Sequence, residues 1–382
     1  MKKNLVVIFG SRSTEHDISV LTAMQVISGV DKKKYSVLPV YISNAGKWYT
    51  GRALLDTQFY AKPDYKRVKE VVILPCDNYL YIKKFGKFKR YAKVDCVIVS
   101  CHGKNGEDGT LQGLLELAQI PYTSGGVFAS SVGLDKQKMK EIFAANKIPV
   151  CDYKVISKAD FESEEFDFKD INFPVIVKPN SLGSSIGISV CKSQEQLLEA
   201  LKLVFCFDGV ALIEKYIENL KEVNISVLGD ENNMYCSITE QPVSKGILSF
   251  EKKYFAESSK TELQGTKNGM QSMGRIIPAD ITKKQKKTIE NLAKKIFAVT
   301  RSKGVVRIDF MIDCDTKKVY ANEINTIPGS FAFYLWEKSG INFSVLIDKL
   351  IEIAETSKKE TDKLTTIFLS SVLSGTNINL QK

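Results

Sequence analysis

The sequence contains few histidines and no paired cysteine motif. Among its 382 residues are two histidines, His16 and His102, and eight cysteines that form no C-x-x-C pair. This pattern excludes the usual zinc-finger spacings, and it favours reduced thiols that pack as small hydrophobic side chains. We therefore expect a cytoplasmic protein.

Long apolar runs are also missing. No segment approaches the ~20 apolar residues of a membrane-spanning helix, and the run NLVVIF near the N-terminus is shorter than the ~7–15-residue core of a signal peptide. The net charge is +10, but lysines and acids are interleaved through amphipathic segments. A solvated surface explains this charge better than a nucleic-acid partner, and an anionic small substrate would also suit it. We expect contact with neither membrane nor nucleic acid.

The common nucleotide-binding motifs are absent. There is no G-x-x-x-x-G-K-[ST] loop, no G-x-G-x-x-G after a strand and no protein-kinase signature. Instead, Lys178 ends the apolar strand VIVK and is followed by a small-residue loop at 183–187. Backbone N–H groups of such a loop can bind phosphates. A Gly/Ser hairpin turn after an edge strand is common, so this loop taken alone is a weak signal for phosphate binding.

The length and the order of patterns predict two or three domains. In the first third, apolar strands are followed by polar or glycine-rich loops and then helices, which predicts a parallel sheet with ligands at the strand carboxyl ends. A smaller α+β unit follows. The polar stretch at about 244–276 has little periodicity. A connection of that length is either a functional lid or a disordered surface insertion.

Two strands near the C-terminus carry isolated polar residues. In VVRIDFMID, Arg307 and Asp309 share one face, because side chains alternate with period two. In KKVYANEIN, the same alternation puts Glu323 and Asn325 on a face with Ala321. If the strands pair as a hairpin, two carboxylates and an amide converge beside Arg307. These hard ligands suit Mg²⁺, which also binds phosphates. The alternative is a half-exposed hairpin whose polar face meets water.

The motifs occur in a recognisable order. The segments EHDIS, HGxxGEDGxxQG, DK, VKPxxxGSSxG, EKYI, RIDF and NEINTxPG, from Gly10 to about Gly329, resemble the D-alanine–D-alanine ligase family of ATP-grasp enzymes. The resemblance implies an α/β (α+β ATP-grasp) fold with three domains. These are an N-terminal parallel-sheet domain (1–125), a central small α+β domain (126–217) and a C-terminal ATP-grasp catalytic domain (218–382) with a lid loop at about 244–276.

The resemblance also implies a reaction. ATP phosphorylates the carboxylate of one D-alanine, and the amine of a second amino acid attacks the acylphosphate to give a dipeptide for peptidoglycan. Two Mg²⁺ ions, or Mn²⁺ in their place, assist, and the chain forms a homodimer. Its partners are otherwise ATP and small D-amino acids.

Site residues are implied one by one. The catalytic residues are Glu15, Ser184, Tyr254, Arg307 and Gly329. The substrate-binding residues are Glu15, His102, Lys253, Ser330 and Tyr334. The ATP-binding residues are Lys136, Lys178, Ser185, Glu214, Lys215, Ile217 and Glu222. The metal ligands are Asp309, Glu323 and Asn325. In this scheme Glu15 holds the ammonium group of the first D-alanine, while Arg307 and the Gly329 N–H stabilise the oxyanion.

One departure from the family pattern concerns the second substrate. Tyr334 stands where an acceptor-binding serine is usual, whereas Tyr254 is retained, as in ligases that use an amine acceptor. The acceptor is therefore D-alanine or D-serine, and D-lactate is disfavoured. Two other functions stay open: an ATP-grasp ligase that joins another carboxylate and amine, and a non-catalytic nucleotide-binding regulator.

Overall fold

Seven strands in the first hundred residues form one mixed sheet. This computed structural model describes residues 2–75, 77–163, 168–243 and 274–366. The strands are β1 (Lys3–Gly10), β2 (Tyr35–Ile42), β3 (Trp48–Thr50), β4 (Lys69–Ile73), β5 (Tyr79–Lys84), β6 (Lys87–Lys93) and β7 (Cys96–Val99). Their spatial order is β6-β5-β4-β3-β2-β1-β7. β1 is parallel to β2 and β7, but β2 to β6 pair antiparallel. The predicted parallel sheet is thus confirmed only around β1, because the other strands follow one another without crossover helices.

The described part of the chain contains ten α-helices. They are α1 (His16–Gly29), α2 (Gln58–Ala61), α3 (Thr110–Leu117), α4 (Val127–Leu134), α5 (Lys136–Ala145), α6 (Lys158–Glu162), α7 (Gln194–Val204), α8 (Lys283–Val299), α9 (Phe333–Lys338) and α10 (Phe343–Asp362). The basic helix α8 begins at a reciprocal cap between Thr282 and Gln285, which satisfies backbone donors of its first turn. Within the described ranges, no helix has both the length and the apolar character needed to cross a bilayer.

Two further four-stranded sheets carry the rest of the chain. The first contains β8 (Tyr153–Ser157), β9 (Val175–Pro179), β10 (Ser189–Cys191) and β11 (Val210–Lys215), in the order β10-β9-β11-β8. The second contains β12 (Leu220–Gly229), β13 (Met234–Cys236), β16 (Gly304–Asp313) and β17 (Val319–Asn325), in the order β13-β12-β16-β17. A two-stranded ribbon joins β14 (Gln241–Pro242) to β15 (Arg275–Ile276).

The last described helix packs against the first sheet. Leu346, Ile347 and Leu350 of α10 belong to the same buried core as Leu5 of β1. At the rim, the Lys3 Nζ lies 2.5 Å from Glu355 Oε1. The predicted C-terminal domain therefore shares its final helix with the core of the predicted N-terminal domain. The proposed boundaries at 125/126 and 217/218 stay a prediction.

Candidate active site

The loop after β1 brings Glu15 against the small-residue loop after β9. The Ser184 hydroxyl donates a hydrogen bond to Glu15 Oε1, across 169 residues of sequence, and Glu15 is buried. A Cβ added at Gly183 or at Gly103 would lie 3.0 or 2.8 Å from Glu15 Oε2, so glycine leaves room for this carboxylate. Ser184 and Ser185 both have left-handed φ angles, 54° and 61°. The structure thus brings Glu15 and Ser184 together at the carboxyl end of β1, where a parallel pair presents ligands.

His102 follows β7, the other parallel neighbour of β1. Its Nε2 lies 2.8 Å from Thr22 Oγ1 of α1, and the side chain is buried. Burial lowers the pKa of His102 to about 4, and the nearby Arg307 charge acts in the same direction. The imidazole is therefore neutral at pH 7 and serves as an uncharged hydrogen-bonding group.

Glu107 is a site residue that the sequence did not reveal. Its Oε2 accepts from the Gly103 N–H (2.8 Å) and its Oε1 accepts from the Ile327 N–H (2.9 Å). Burial raises the pKa of Glu107 to about 8, and the Glu15 charge adds to the shift. Glu107 thereby connects the loop of the first sheet to the loop that follows β17. Glu107 belongs to the loop HGKNGEDG, but a single acid in a glycine-rich loop cannot be distinguished by sequence from a solvated acid.

Lys178 and Lys140 share one buried carboxylate, that of Glu214. Glu214 Oε1 lies 2.7 Å from Lys178 Nζ and 3.2 Å from Lys140 Nζ, and all three side chains are buried. Burial alone would raise the pKa of Glu214, but the two ammonium groups outweigh it and hold the pKa below its usual range. Glu214 was predicted to bind ATP, and its carboxylate instead contacts these lysines. Lys140 was not predicted, because its helix reads as an ordinary amphipathic one.

Lys136 lies between the small-residue loop and the acidic hairpin. Its Nζ donates to the Leu182 carbonyl at 2.5 Å and is 3.9 Å from Glu323 Oε2. Burial lowers the pKa of Lys136, Glu323 opposes this shift, and the charge of Lys178 adds to it. The two lysines predicted to bind ATP therefore repel each other in a buried space, and a polyanion such as a phosphate chain would relieve that repulsion.

The hairpin of β16 and β17 gathers the predicted metal ligands. Arg307 Nε and Nη2 donate to the two carboxylate oxygens of Asp309, both at 2.7 Å. Asn325 Nδ2 donates to Asp309 Oδ2 at 3.2 Å, and Glu323 stands directly opposite Asp309 in the register. Charge from Asp309 raises the pKa of Arg307 although burial opposes it. The structure brings these four side chains together, as the alternation along the strands predicted.

One part of the predicted register is wrong. Asp309 pairs with Glu323 and Phe310 pairs with Ala321, so Asn322 is an unpaired bulge residue. The extra residue reverses the alternation, and Ala321 is fully buried in the core instead of facing the site. It also turns Asn322 towards the site, where Asn322 Oδ1 lies 3.3 Å from Lys178 Nζ. A bulge leaves no period-two signal, which is why Asn322 was missed.

The ligand atoms of the polar face of the β16–β17 hairpin suit a hard divalent cation. Asp309 and Glu323 offer carboxylate oxygens and Asn325 an amide oxygen, the ligand types that Mg²⁺ and Mn²⁺ prefer. No group of three His, Cys, Asp or Glu side chains suited to a metal occurs in the described part of the chain. Three protein ligands of this kind are compatible with Mg²⁺, which usually completes its coordination with water and substrate phosphate.

The turn after β17 is left-handed. Ser330, Phe331 and Ala332 have φ angles of 51°, 56° and 50°, and this conformation costs a non-glycine residue ~1–2 kcal/mol. The Ser330 N–H donates to Thr22 Oγ1 at 3.2 Å, and its hydroxyl donates to Gln25 Oε1. Helix α1 thus holds the strained turn next to Gly329. The Ser330 hydroxyl is engaged with α1, so its contact with substrate stays a prediction.

Tyr334 lies on α9 with its hydroxyl engaged. The Tyr334 hydroxyl donates to Glu240 Oε1 at 2.7 Å, and both residues are buried. Burial raises the pKa of Tyr334, and the Glu240 charge adds to the shift. Glu240 was not predicted, since it lies 94 residues from its tyrosine partner in a segment without a motif.

The predicted adenine and ribose contacts lie at neighbouring strand ends. Lys215 is exposed at the end of β11, Ile217 is half-buried just beyond it, and Glu222 is exposed on β12. The Lys215 N–H already donates to the Asp152 carbonyl at 3.0 Å. The roles of these residues stay predictions. Lys253 and Tyr254, with 244–273 of the predicted lid, lie outside the described residues.

Comparison with known proteins gives a consistent result. A family model described as "D-ala D-ala ligase N-terminus" matches residues 4–125, and one described as "D-ala D-ala ligase C-terminus" matches residues 142–352. The D-alanine–D-alanine ligase of Thermosipho melanesiensis is 38% identical, over 92% of this chain and 93% of its own length. That of Caldicellulosiruptor bescii is also 38% identical, over 92% and 95%.

Solved structures share the fold over similar lengths. The D-alanine–D-alanine ligase from Coxiella burnetii superposes with a TM-score of 0.77 at 27% identity and covers 95% of this chain and 96% of its own. The VanG D-Ala:D-Ser ligase from Enterococcus faecalis gives the same TM-score and identity, with coverage of 93% and 100%. The chain therefore belongs to the D-alanine–D-alanine ligase family.

Proposed function

We propose that this protein is an ATP-dependent ligase that joins D-alanine to a second D-amino acid, D-alanine or D-serine, to make the dipeptide used in peptidoglycan precursors. Family membership supports the reaction class. The contact between Glu15 and Ser184 is the single observation that carries the assignment. It creates a buried carboxylate next to a small-residue loop, which is what the ammonium group of a small amino acid requires.

The proposed roles of the other residues come from the family resemblance. Lys136 and Lys178 bind the phosphates of ATP, and Ser185 supplies a donor from the loop between them. The segment from Lys215 to Ile217 binds adenine through its backbone, and Glu222 binds the ribose hydroxyls. Glu214 acts through Lys178, because its carboxylate is 2.7 Å from that ammonium group.

The proposed chemistry has two steps. A carboxylate oxygen of the donor D-alanine attacks the γ-phosphorus of ATP, which releases ADP and leaves an acylphosphate. The neutral amine of the acceptor then attacks the acyl carbon, loses a proton and expels phosphate. Arg307 and the Gly329 N–H stabilise the negative oxygen that develops in this second step. Divalent cations bound by Asp309, Glu323 and Asn325 would supply charge neutralisation for the phosphates.

The test is an incubation of ATP, Mg²⁺ and D-alanine with a panel of acceptors, with products identified by mass. We expect D-alanyl-D-alanine, D-alanyl-D-serine or both, and little D-alanyl-D-lactate at neutral pH. Products from other carboxylates and amines would support a different ATP-grasp ligase. Binding of ATP with no ADP release under any of these conditions would support a non-catalytic regulator.

Location and assembly are further parts of the proposal. The cysteines that the structure describes are free thiols, which suits the reducing cytoplasm where ATP is available. The homodimer rests on the family resemblance alone, and sedimentation of the purified protein would test it. A monomer at all concentrations would contradict it.

We expect Gly103→Ala to raise the KM for the donor D-alanine about tenfold, a loss of ~1.4 kcal/mol in binding. Gly103 has a φ of +70°, and a Cβ there would lie 2.5 Å from Ser13 Oγ and 2.8 Å from Glu15 Oε2. The new methyl group therefore displaces the carboxylate that binds the ammonium group. Initial rates over a range of D-alanine concentrations measure this effect.

Gly86→Ala is the matched control for this change. Gly86 has a nearly equal φ of +73°, but a Cβ there would meet nothing within 4 Å. Both variants carry the same backbone strain, and only Gly103→Ala disturbs Glu15. Equal KM values for the two variants would contradict the proposed role of Glu15.

A further inference from the structure

Arg275, at the end of the predicted lid range but not among the predicted site residues, lies beside Tyr334. Arg275 Nη1 is 2.6 Å from Glu240 Oε2, and 10% of the arginine side chain is exposed. The Arg275 guanidinium carbon is 4.4 Å from the centre of the Tyr334 ring. The guanidinium plane is thus fixed by a carboxylate and an aromatic face, a pre-organised arrangement that favours binding of planar anions.

This arginine has an unused donor. Its buried Nε has no hydrogen-bond partner in the described structure. A buried N–H without a hydrogen-bond partner loses its hydration without compensation, and this penalty is larger for a charged group. Buried polar groups without partners are rare in folded proteins and call for an explanation. A bound ligand that accepts a hydrogen bond from Nε would provide one.

Hydrogen bonds connect Arg275 to the face of the β16–β17 hairpin that carries Arg307 and Asp309. Glu240, its ion-pair partner, also accepts from Asn224 Nδ2 at 3.1 Å. Asn224 stands opposite Asp309 in the register of β12 and β16. Through Glu240 and Asn224, Arg275 is therefore linked to β16, the strand that carries Arg307 and Asp309.

The charged groups of the substrates indicate which ligand Arg275 Nε binds, and this assignment rests on the proposed function. ATP phosphates face Lys136 and Lys178, the donor ammonium group faces Glu15, and the reacting carboxylate develops its charge near Arg307. The acceptor carboxylate is the remaining anionic group of the substrates. We propose that Arg275, held by Glu240 and stacked on Tyr334, binds the α-carboxylate of the acceptor and thereby selects acceptors that carry a free carboxylate.

The test compares two acceptors in one reaction. The enzyme receives ATP, Mg²⁺, D-alanine and D-alaninamide, whose amide replaces the carboxylate with an uncharged group. Mass spectrometry measures the ratio of D-alanyl-D-alanine to D-alanyl-D-alaninamide. We expect Arg275→Gln to lower this ratio by roughly 10- to 100-fold. The variant loses a charge-assisted hydrogen bond that D-alanine, but not D-alaninamide, can make as acceptor. A merely structural role would reduce both products equally and leave the ratio unchanged.

Two further variants keep the test decisive. Arg90→Gln is the matched control, since Arg90 is also stacked on a tyrosine (Tyr79, 4.5 Å) and paired with an aspartate (Asp77, 2.8 Å), but on an exposed hairpin. It should leave the ratio unchanged. Arg275→Lys keeps the positive charge but loses the Nε donor, and we expect a several-fold lower ratio if Arg275→Gln does not fold.

The outcomes separate this inference from the proposed function. An unchanged ratio in Arg275→Gln or Arg275→Lys overturns the inference, as does a rise in the KM for ATP without a change in the ratio. Absence of both products in the unmodified protein would instead overturn the proposed ligase function.

Discussion

Glu323→Ala is expected to lower kcat by about 10²–10³ while the protein stays folded, since removal of one electrostatic group at a reacting centre has effects of that size. Glu323 is half-buried opposite Asp309, and we propose it as one of the ligands of a divalent cation. Without it, phosphate charge would be less neutralised, and Lys136 would lose the carboxylate 3.9 Å from its ammonium group. ADP release from ATP and D-alanine measures the change.

The control for this variant is Glu290→Ala. Glu290 is also partly exposed and lies 3.8 Å from a lysine, Lys286, but on the surface of α8. We expect unchanged turnover and a change in stability within about 0.5 kcal/mol. Turnover close to that of the unmodified protein in a folded Glu323→Ala variant would remove this carboxylate from the site.

Glu214→Gln is expected to lower the free energy of unfolding by about 3–5 kcal/mol, the usual cost of breaking a buried ion pair from one side. The change leaves the ammonium groups of Lys178 and Lys140 buried without the carboxylate that lies 2.7 and 3.2 Å from them. Urea unfolding at pH 7 measures the loss. Adding Lys140→Met to the same chain should recover part of it, because one uncompensated charge is then removed.

The pH dependence gives a second check on Glu214. Its pKa in the folded state lies below the ordinary value of 4.5, so its contribution to stability is present above pH 4.5 and is lost as the pH falls through the folded-state pKa. The difference between the unmodified protein and Glu214→Gln should therefore shrink in acid. The exposed pair of Glu141 and Lys138, 2.9 Å apart, provides the control: Glu141→Gln should cost less than about 1 kcal/mol. Equal losses for the two variants would contradict the buried cluster.

The strand alternation explains how much of the site was predictable. Arg307 and Asp309 interrupt an apolar strand at period two, and that pattern alone placed both on the polar face. Asn322 broke the same rule, because a bulge adds a residue without any local sequence signature. Alternation is a local property, so it predicts faces well and predicts register only where no residue is inserted.

Residues that act through distant partners were not predictable in this way. Glu107 binds Ile327 across 220 positions, and Glu240 binds Arg275 across 35. A single acid or arginine in a loop has no period or spacing that distinguishes it from a solvated side chain. The directions of the strands in the first sheet were not predictable either. The sequence pattern of a strand does not indicate whether the neighbouring strand runs parallel or antiparallel to it.

The packing of α10 on the first sheet has a consequence for biosynthesis. Strands β1 and β7 leave the ribosome within the first hundred residues, but part of their apolar cover, from Leu346 to Ala354, is made last. At ~5–20 residues per second, the interval of about 250 residues lasts on the order of 10–50 s. During that time the nascent first sheet exposes the apolar surface that α10 later covers. We therefore expect a fragment of residues 1–125 to aggregate when expressed alone, which a sedimentation assay of the expressed fragment would measure.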